Sequence, residues 1–162
     1  MQADVVSIAP DVSGFVDELR VKDNQFVHKG DVLLILDRER YTRALATAEA
    51  NVTASKAKMD NAQQQHARRA KLTTIAISDE AREDARLTAA SAAANYQQAV
   101  ADRSTAQLNL DRTILRAPVN GVVTNLTLVV GQYASVGTKL MALIDSDSYR
   151  VTAFLRKPNC RR

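Results

Sequence analysis

The chain has 162 residues, 46% apolar but only 4% aromatic and without Trp, a composition suited to long helices packed through small residues rather than to one large globular core. Its formal charge of +4 mixes both signs along the chain, which excludes the clustered basic face of a nucleic-acid binder. Cys160 is the only cysteine, so no intrachain disulfide can form, and His28 and His66 have no Cys or His at ligand spacing, so no metal site is expected.

In chain order, the first flank carries short runs of Val, Ile, Leu and Phe separated by Gly, Pro and Asp, which is strand and turn chemistry. Its longest apolar run, Val32 to Leu36, falls far short of the ~20 residues that span a bilayer. No signal peptide is visible, and any anchor or export signal is expected to lie outside this sequence. From Asp31 to Ala117 there is neither Gly nor Pro, and Ala, Arg, Gln and Glu are abundant, which predicts helix. Steps of four and three from Tyr41 visit Leu45, Ala48, Val52, Ser55, Met59, Ala62 and His66, a heptad seam expected to end at Arg69.

The segment Leu72 to Glu80 interrupts that helix. Thr73, Thr74 and Ile75 are β-branched and weaken helix propensity. Ser78 is a good N-cap, and Asp79 and Glu80 follow in a first turn where the helix dipole favours negative charge. Arg68, Arg69 and Lys71 precede the break, where positive charge is favoured. The second helix is expected to run to about Arg112. It carries two stripes on opposite faces: Leu87, Ala90, Ala94, Gln97, Ala101, Ser104 and Leu108, and Ala89, Ala93, Tyr96, Val100, Gln107 and Leu110. One stripe can pack on the first helix. Ala89, Ala93, Tyr96 and Val100 are the expected packing face for a further partner. At ~1.5 Å per residue each arm reaches roughly 50 Å.

The second flank repeats the first. "APDVSGFVDELRVKDNQFVHKGDVLLIL" begins at Ala9 and "APVNGVVTNLTLVVGQYASVGTKLMAL" at Ala117. With one gap, Ala9, Pro10, Gly14, Val16, Leu19, Gln25, Gly30, Leu33 and Leu36 meet Ala117, Pro118, Gly121, Val123, Leu126, Gln132, Gly137, Leu140 and Leu143. Two such units can bury their apolar faces against each other. The glycines are expected at turns that need positive φ. The expected organisation is therefore α+β: a β domain from residues 1–37 and 113–147, split by a helical hairpin over 38–112, with 148–162 left over.

These segments resemble the membrane fusion, or periplasmic adaptor, proteins of the HlyD/EmrA class. "IAPDVSGFV", "VKDNQFVHKGDVLLILD", "RTILRAPVNGVVTNL" and "GQYASVGTKLMALI" are most similar to the AaeA-like aromatic-acid efflux branch. The resemblance implies a lipoyl-like (barrel-sandwich hybrid) domain with an inserted antiparallel coiled-coil hairpin. It implies a periplasmic protein anchored to the inner membrane, self-associating in a ring, and bridging an inner-membrane transporter to a TolC-type outer-membrane channel. It also implies contacts at the hairpin tip through Arg, Leu and Ser, matched here by Arg68, Leu72 and Ser78, although the Leu-to-Ser spacing is one residue shorter than the usual motif. "SYRVTAFL" is similar to the entry of the family's β-barrel domain, so 148–162 is the start of a truncated barrel or a tail.

Each residue also has a plainer reading. Ser78 serves as a helix cap, Arg68 and Arg69 as charges complementing a helix C-terminus, and His66 as a packed or snorkelling side chain. Leu72 lies beyond the seam, where an apolar side chain has little core to enter, which points to a partner. A swinging-arm carrier needs a modified Lys on the hairpin joining the β halves, and here helices replace that hairpin, so no covalent cofactor is expected. No nucleophile elbow, phosphate-binding loop or metal motif appears, so the chain is not expected to be an enzyme. An adaptor of a type I protein secretion system and a structural coiled-coil protein remain as alternatives.

Overall fold

A computed structural model describes residues 5–71 and 78–146. The chain folds as two compact units, Met1–Asp37 with Arg112–Arg162, and Arg38–Asp111. Leu72 and the segment 148–162 lie outside the described residues.

The first unit holds β1 (Val5–Ile8), β2 (Gly14–Leu19), β3 (Phe26–Val27), β4 (Val32–Leu36), β5 (Ile114–Arg116), β6 (Gly121–Thr124), β7 (Tyr133–Ala134) and β8 (Met141–Asp145). They form two antiparallel four-stranded sheets, ordered β1-β8-β6-β3 and β5-β4-β2-β7. Each half of the sequence contributes strands to both sheets, so neither half closes a core alone. The repeated positions supply that core: Val16, Leu36, Val123 and Leu143 are fully buried, as are Leu33, Leu34 and Val27. Fully burying such side chains contributes roughly 1.5–3 kcal/mol each.

The duplication extends to individual hydrogen bonds. Asn24 donates its N–H to the Val123 carbonyl at 2.8 Å, and Gly131 does the same to Val16 at 2.8 Å. Val123 donates to Gln25 and Val16 to Gln132, both at 2.9 Å. Gln25 and Gln132 do equivalent work with their side chains. The Gln25 Oε1 accepts the Lys22 N–H at 2.9 Å, and the Gln132 Oε1 accepts the Val129 N–H at 3.3 Å. Each closes the turn in front of it.

The expectation that every glycine serves a positive-φ turn holds for three of them. Gly30, Gly131 and Gly137 have φ of 96°, 87° and 75°. Gly14 and Gly121 are strand residues instead. At Gly121 the reason is steric, because a β-carbon there would collide with the backbone carbonyl of Ile144 on β8.

The second unit holds α1 (Glu39–Ala70) and α2 (Asp79–Asp111). The chain leaves the β unit after Asp37 and returns at Arg112. Within the β unit, Leu36 donates its N–H to the Thr113 carbonyl at 2.9 Å, which holds the exit and return points together. Arg112, placed by the sequence in the hairpin, belongs to the β unit, where its Nε lies 3.4 Å from Asp11 Oδ2. Among the described residues, no helix is long and apolar enough to cross a membrane.

Candidate functional site

The candidate surfaces lie on the hairpin, so the packing of α1 on α2 decides what each helix has left to offer. On α1 the less exposed residues are Tyr41, Leu45, Ala48, Val52, Ser55, Met59, Ala62, His66 and Arg69. This is the expected heptad seam, and it continues through Arg69 rather than ending there. The Arg69 stem lies along the seam while its Nη1 donates to the Ala81 carbonyl at 3.1 Å, the snorkelling behaviour open to a long cation. Near the other end of the pair, Arg103 Nη2 contacts Glu49 Oε1 at 3.2 Å. Contacts between 69 and 81 and between 49 and 103 fix the two helices as antiparallel.

On α2 the sequence reading needs correction. The residues turned to α1 follow steps of three and four through Arg82, Ala85, Ala89, Ala92, Tyr96 and Ala99, then, past the exposed Arg103 that reaches Glu49, through Ala106 and Leu110; of these Ala85, Ala99 and Leu110 are buried. Ala89 and Tyr96, expected on a free face, are thus half-buried in the intramolecular seam. Ala93 flanks it, also half-buried, and Val100 alone of the four is exposed. The free stripe is the other one, Leu87, Ala90, Ala94, Ala101 and Leu108, all exposed. Alanines surround α2 so evenly that its sequence scarcely distinguishes one face from another, and complementarity with α1 made the choice.

Around the break, Arg68 is an exposed residue of the last turn of α1, and Lys71 caps that helix by donating its N–H to the Arg68 carbonyl at 3.3 Å. Ser78 precedes α2, and its Oγ accepts the Ala81 N–H at 3.2 Å, the N-cap bond anticipated from sequence. Asp79 and Glu80 follow in the first turn. Between the helices here, His66, Asp79, Arg82, Glu83 and Arg86 line a shallow hollow. Arg86 grips Glu83 with two bonds, Nε at 2.9 Å and Nη2 at 2.6 Å. That hydrogen bonding holds the Glu83 carboxyl below its ordinary range and raises Arg86 above its own. Among the described residues no group of His, Cys, Asp or Glu is arranged to hold a metal ion. The hollow is a ladder of exposed ion pairs, each of which contributes little to stability.

Comparison with known proteins places this geometry. Residues 4–146 match the family described as RND MFP, barrel-sandwich hybrid domain. A crystal structure of a Bacteroides eggerthii protein described as an efflux transporter superposes with a TM-score of 0.71 at 24% identity, over 89% of this chain and 40% of that one. A MacA–MexA chimera carrying the α-hairpin domain of Pseudomonas aeruginosa MexA gives 0.60 at 27% identity, over 88% of this chain and 48% of the chimera. The periplasmic adaptor protein EmrA gives 0.65 at 14% identity, over 91% of this chain and 74% of EmrA. The chain therefore spans less than half the length of the first two.

Proposed function

The chain belongs to the RND membrane fusion protein family through its barrel-sandwich hybrid domain, and from that premise we propose that it is a periplasmic adaptor subunit of a tripartite efflux pump. Members of this family are adaptors, not enzymes. In the proposed role the protein is anchored to the inner membrane, assembles in a ring, and links a transporter there to a TolC-type channel in the outer membrane.

The observation that carries this reading is the hairpin itself. Two helices of 32 and 33 residues, joined along a heptad seam, leave the β unit and return to it at one hydrogen-bonded point. Such an arm suits reach and docking. Its seam is filled by alanines of α2 set against Leu45, Val52 and Met59 of α1. The exposed stripe from Leu87 to Leu108 supports helix-to-helix contact in which small side chains allow close approach. Individually these side chains bury little area, so the contact would be weak and would depend on many copies acting together.

Arg68 at the end of α1 and Ser78 at the start of α2 flank Leu72 in sequence, and these three form the proposed channel-binding tip. Ser78 already accepts a backbone N–H, so its part there is to hold the start of α2. Replacing Leu72 by Asp should leave thermal unfolding unchanged and abolish efflux in cells where the variant is the only copy. Continued efflux by a stably folded Leu72→Asp variant would overturn tip docking. The AaeA-like segments support small aromatic acids as cargo. Deleting the gene should then raise cellular retention of such acids, and re-expression should reverse it.

A further inference from the structure

The two sheets of the β unit each end in a short strand, β1 in one and β5 in the other. Among the described residues β1 pairs only with β8, and β5 only with β4, so each keeps one open edge. Backbone hydrogen bonds show which groups lie on those edges. The Ile8 carbonyl accepts the Leu140 N–H at 2.9 Å on the β8 side. Successive residues of a strand direct their N–H and C=O to opposite sides, so those of Ser7 face away from β8. At either end of β5, the Thr113 carbonyl accepts from Leu36 and the Ala117 N–H donates to Asp31, both at 2.9 Å and both on the β4 side. The same alternation turns Ile114 and Arg116 outward. Ser7, Ile114 and Arg116 all line a single groove of about 300 Å³, which touches both edges. Ile8, Leu115 and Pro118 supply its apolar part. Its charged groups are Arg112, Arg116 and Asp11. Asp11 lies 3.4 Å from Arg112, and Arg116 donates to the Gly30 carbonyl at 3.0 Å. One positive charge is left in excess.

We propose that this groove takes an extended acidic peptide of another protein, added as a strand along β1 and β5. Open edges on both walls offer donors and acceptors in a row, and a peptide backbone is the chemical group that answers both at strand spacing. Alternate side chains of such a strand point to opposite faces, so one set meets Ile8 and Leu115 and the other meets the arginines. Charge selects the occupant. An arginine on an open edge turns away neutral and basic strands and admits acidic ones. Residues 148–162 of this chain carry five Arg and Lys and no Asp or Glu, so the chain's own end is the wrong sign. A second copy pairing edge to edge through β5 would set Arg116 against Arg116. With strands of four and three residues the ladder is short, and binding is weak. This inference goes beyond the adaptor role and does not rest on it, because it is tested without a transporter or channel.

The test uses the whole chain and a fluorescein-labelled peptide of seven residues alternating Val and Glu, followed by anisotropy. Saturable binding is expected, and the same peptide with Lys in place of Glu should bind at least about tenfold more weakly. Methylating alternate amide nitrogens of the Val/Glu peptide keeps its charge but removes ladder donors, and should weaken binding about tenfold. On the protein, Arg116→Glu should turn the preference towards the Lys peptide. Ser7→Pro should weaken the Val/Glu peptide about tenfold while the circular dichroism spectrum stays unchanged, since the N–H it removes faces the groove and not β8. No binding of the Val/Glu peptide up to about 1 mM would overturn the proposal. Equal binding of the Lys peptide or of the methylated peptide would do the same, the first by removing the charge preference and the second by removing strand pairing. Displacement by free glutamate at concentrations similar to the peptide's would reduce the groove to a site for small anions and would also refute strand addition.

Discussion

In the β unit, Val16, Leu33, Leu36, Val123 and Leu143 come from four strands of both halves and meet in a core where none is more than 2% exposed. In the hairpin, two helices of similar total length bury only Ala62, Ala85, Ala99 and Leu110. The difference is one of dimensionality. A pair of sheets encloses its apolar side chains from above, below and the sides. Two helices meet along a line, so each seam residue keeps one flank in water and little area is buried per turn. The β unit should accordingly be sensitive to single core changes, while the hairpin spreads its stability over many small contacts, caps and propensities.

The largest effect is expected at Leu143, which is fully buried and lies opposite Val6 and Val123 in its sheet. Leu143→Ala should destabilise the β unit by about 2–5 kcal/mol, measured by urea denaturation. A loss no greater than that of a surface substitution would contradict the account of the core. Next comes Gly121→Ala, where the new β-carbon meets the Ile144 carbonyl and β6 must separate from β8. About 1–3 kcal/mol should be lost, whereas Gly14→Ala, with its nearest neighbour at 3.6 Å, should cost less.

On the hairpin the effects are smaller. Ser78→Ala removes the bond to the Ala81 N–H and should cost about 1 kcal/mol of helix stability, with Ser78→Asp restoring most of it. The smallest effect concerns acid. The Glu83 carboxyl titrates below its ordinary range because Arg86 hydrogen-bonds it. A depressed folded value means that the contribution is present above the unfolded carboxylate pKa and disappears as pH falls through the folded value. Both side chains are solvent-exposed, so screening keeps that contribution slight. Glu83→Gln should slightly flatten the fall in melting temperature between neutral and acid pH. An effect as large as that of Ser78→Ala would mean the ion pair does more than the exposed geometry allows.

Much of this is legible in the residues because it depends on local rules or on repetition. The absence of Gly and Pro between Asp31 and Ala117, the Ser78 cap and the α1 heptads each follow from backbone chemistry within a few residues. The duplicated segments announce paired β halves because the same apolar spacing occurs twice. The face of α2 is not legible. Ala89 and Tyr96 fall on a free surface by sequence pattern and lie in the seam, because a helix ringed with alanine has no strongly preferred side until a partner helix chooses one. Arg69 looks like the end of the seam for a related reason: its charge argues against burial, while its stem and its bond to Ala81 make the position acceptable.

The sequence by itself determined that this protein has two β halves and a helical insertion free of Gly and Pro and broken once before the Ser78 cap, since strand, turn and helix preferences are short-range and are stated by Gly, Pro, Ala and β-branched residues. Only the tertiary structure decided why Gly121 must be glycine and which stripe of α2 remains open. Those outcomes depend on what lies opposite a residue, and a neighbour brought from more than twenty positions away is not written in the local pattern.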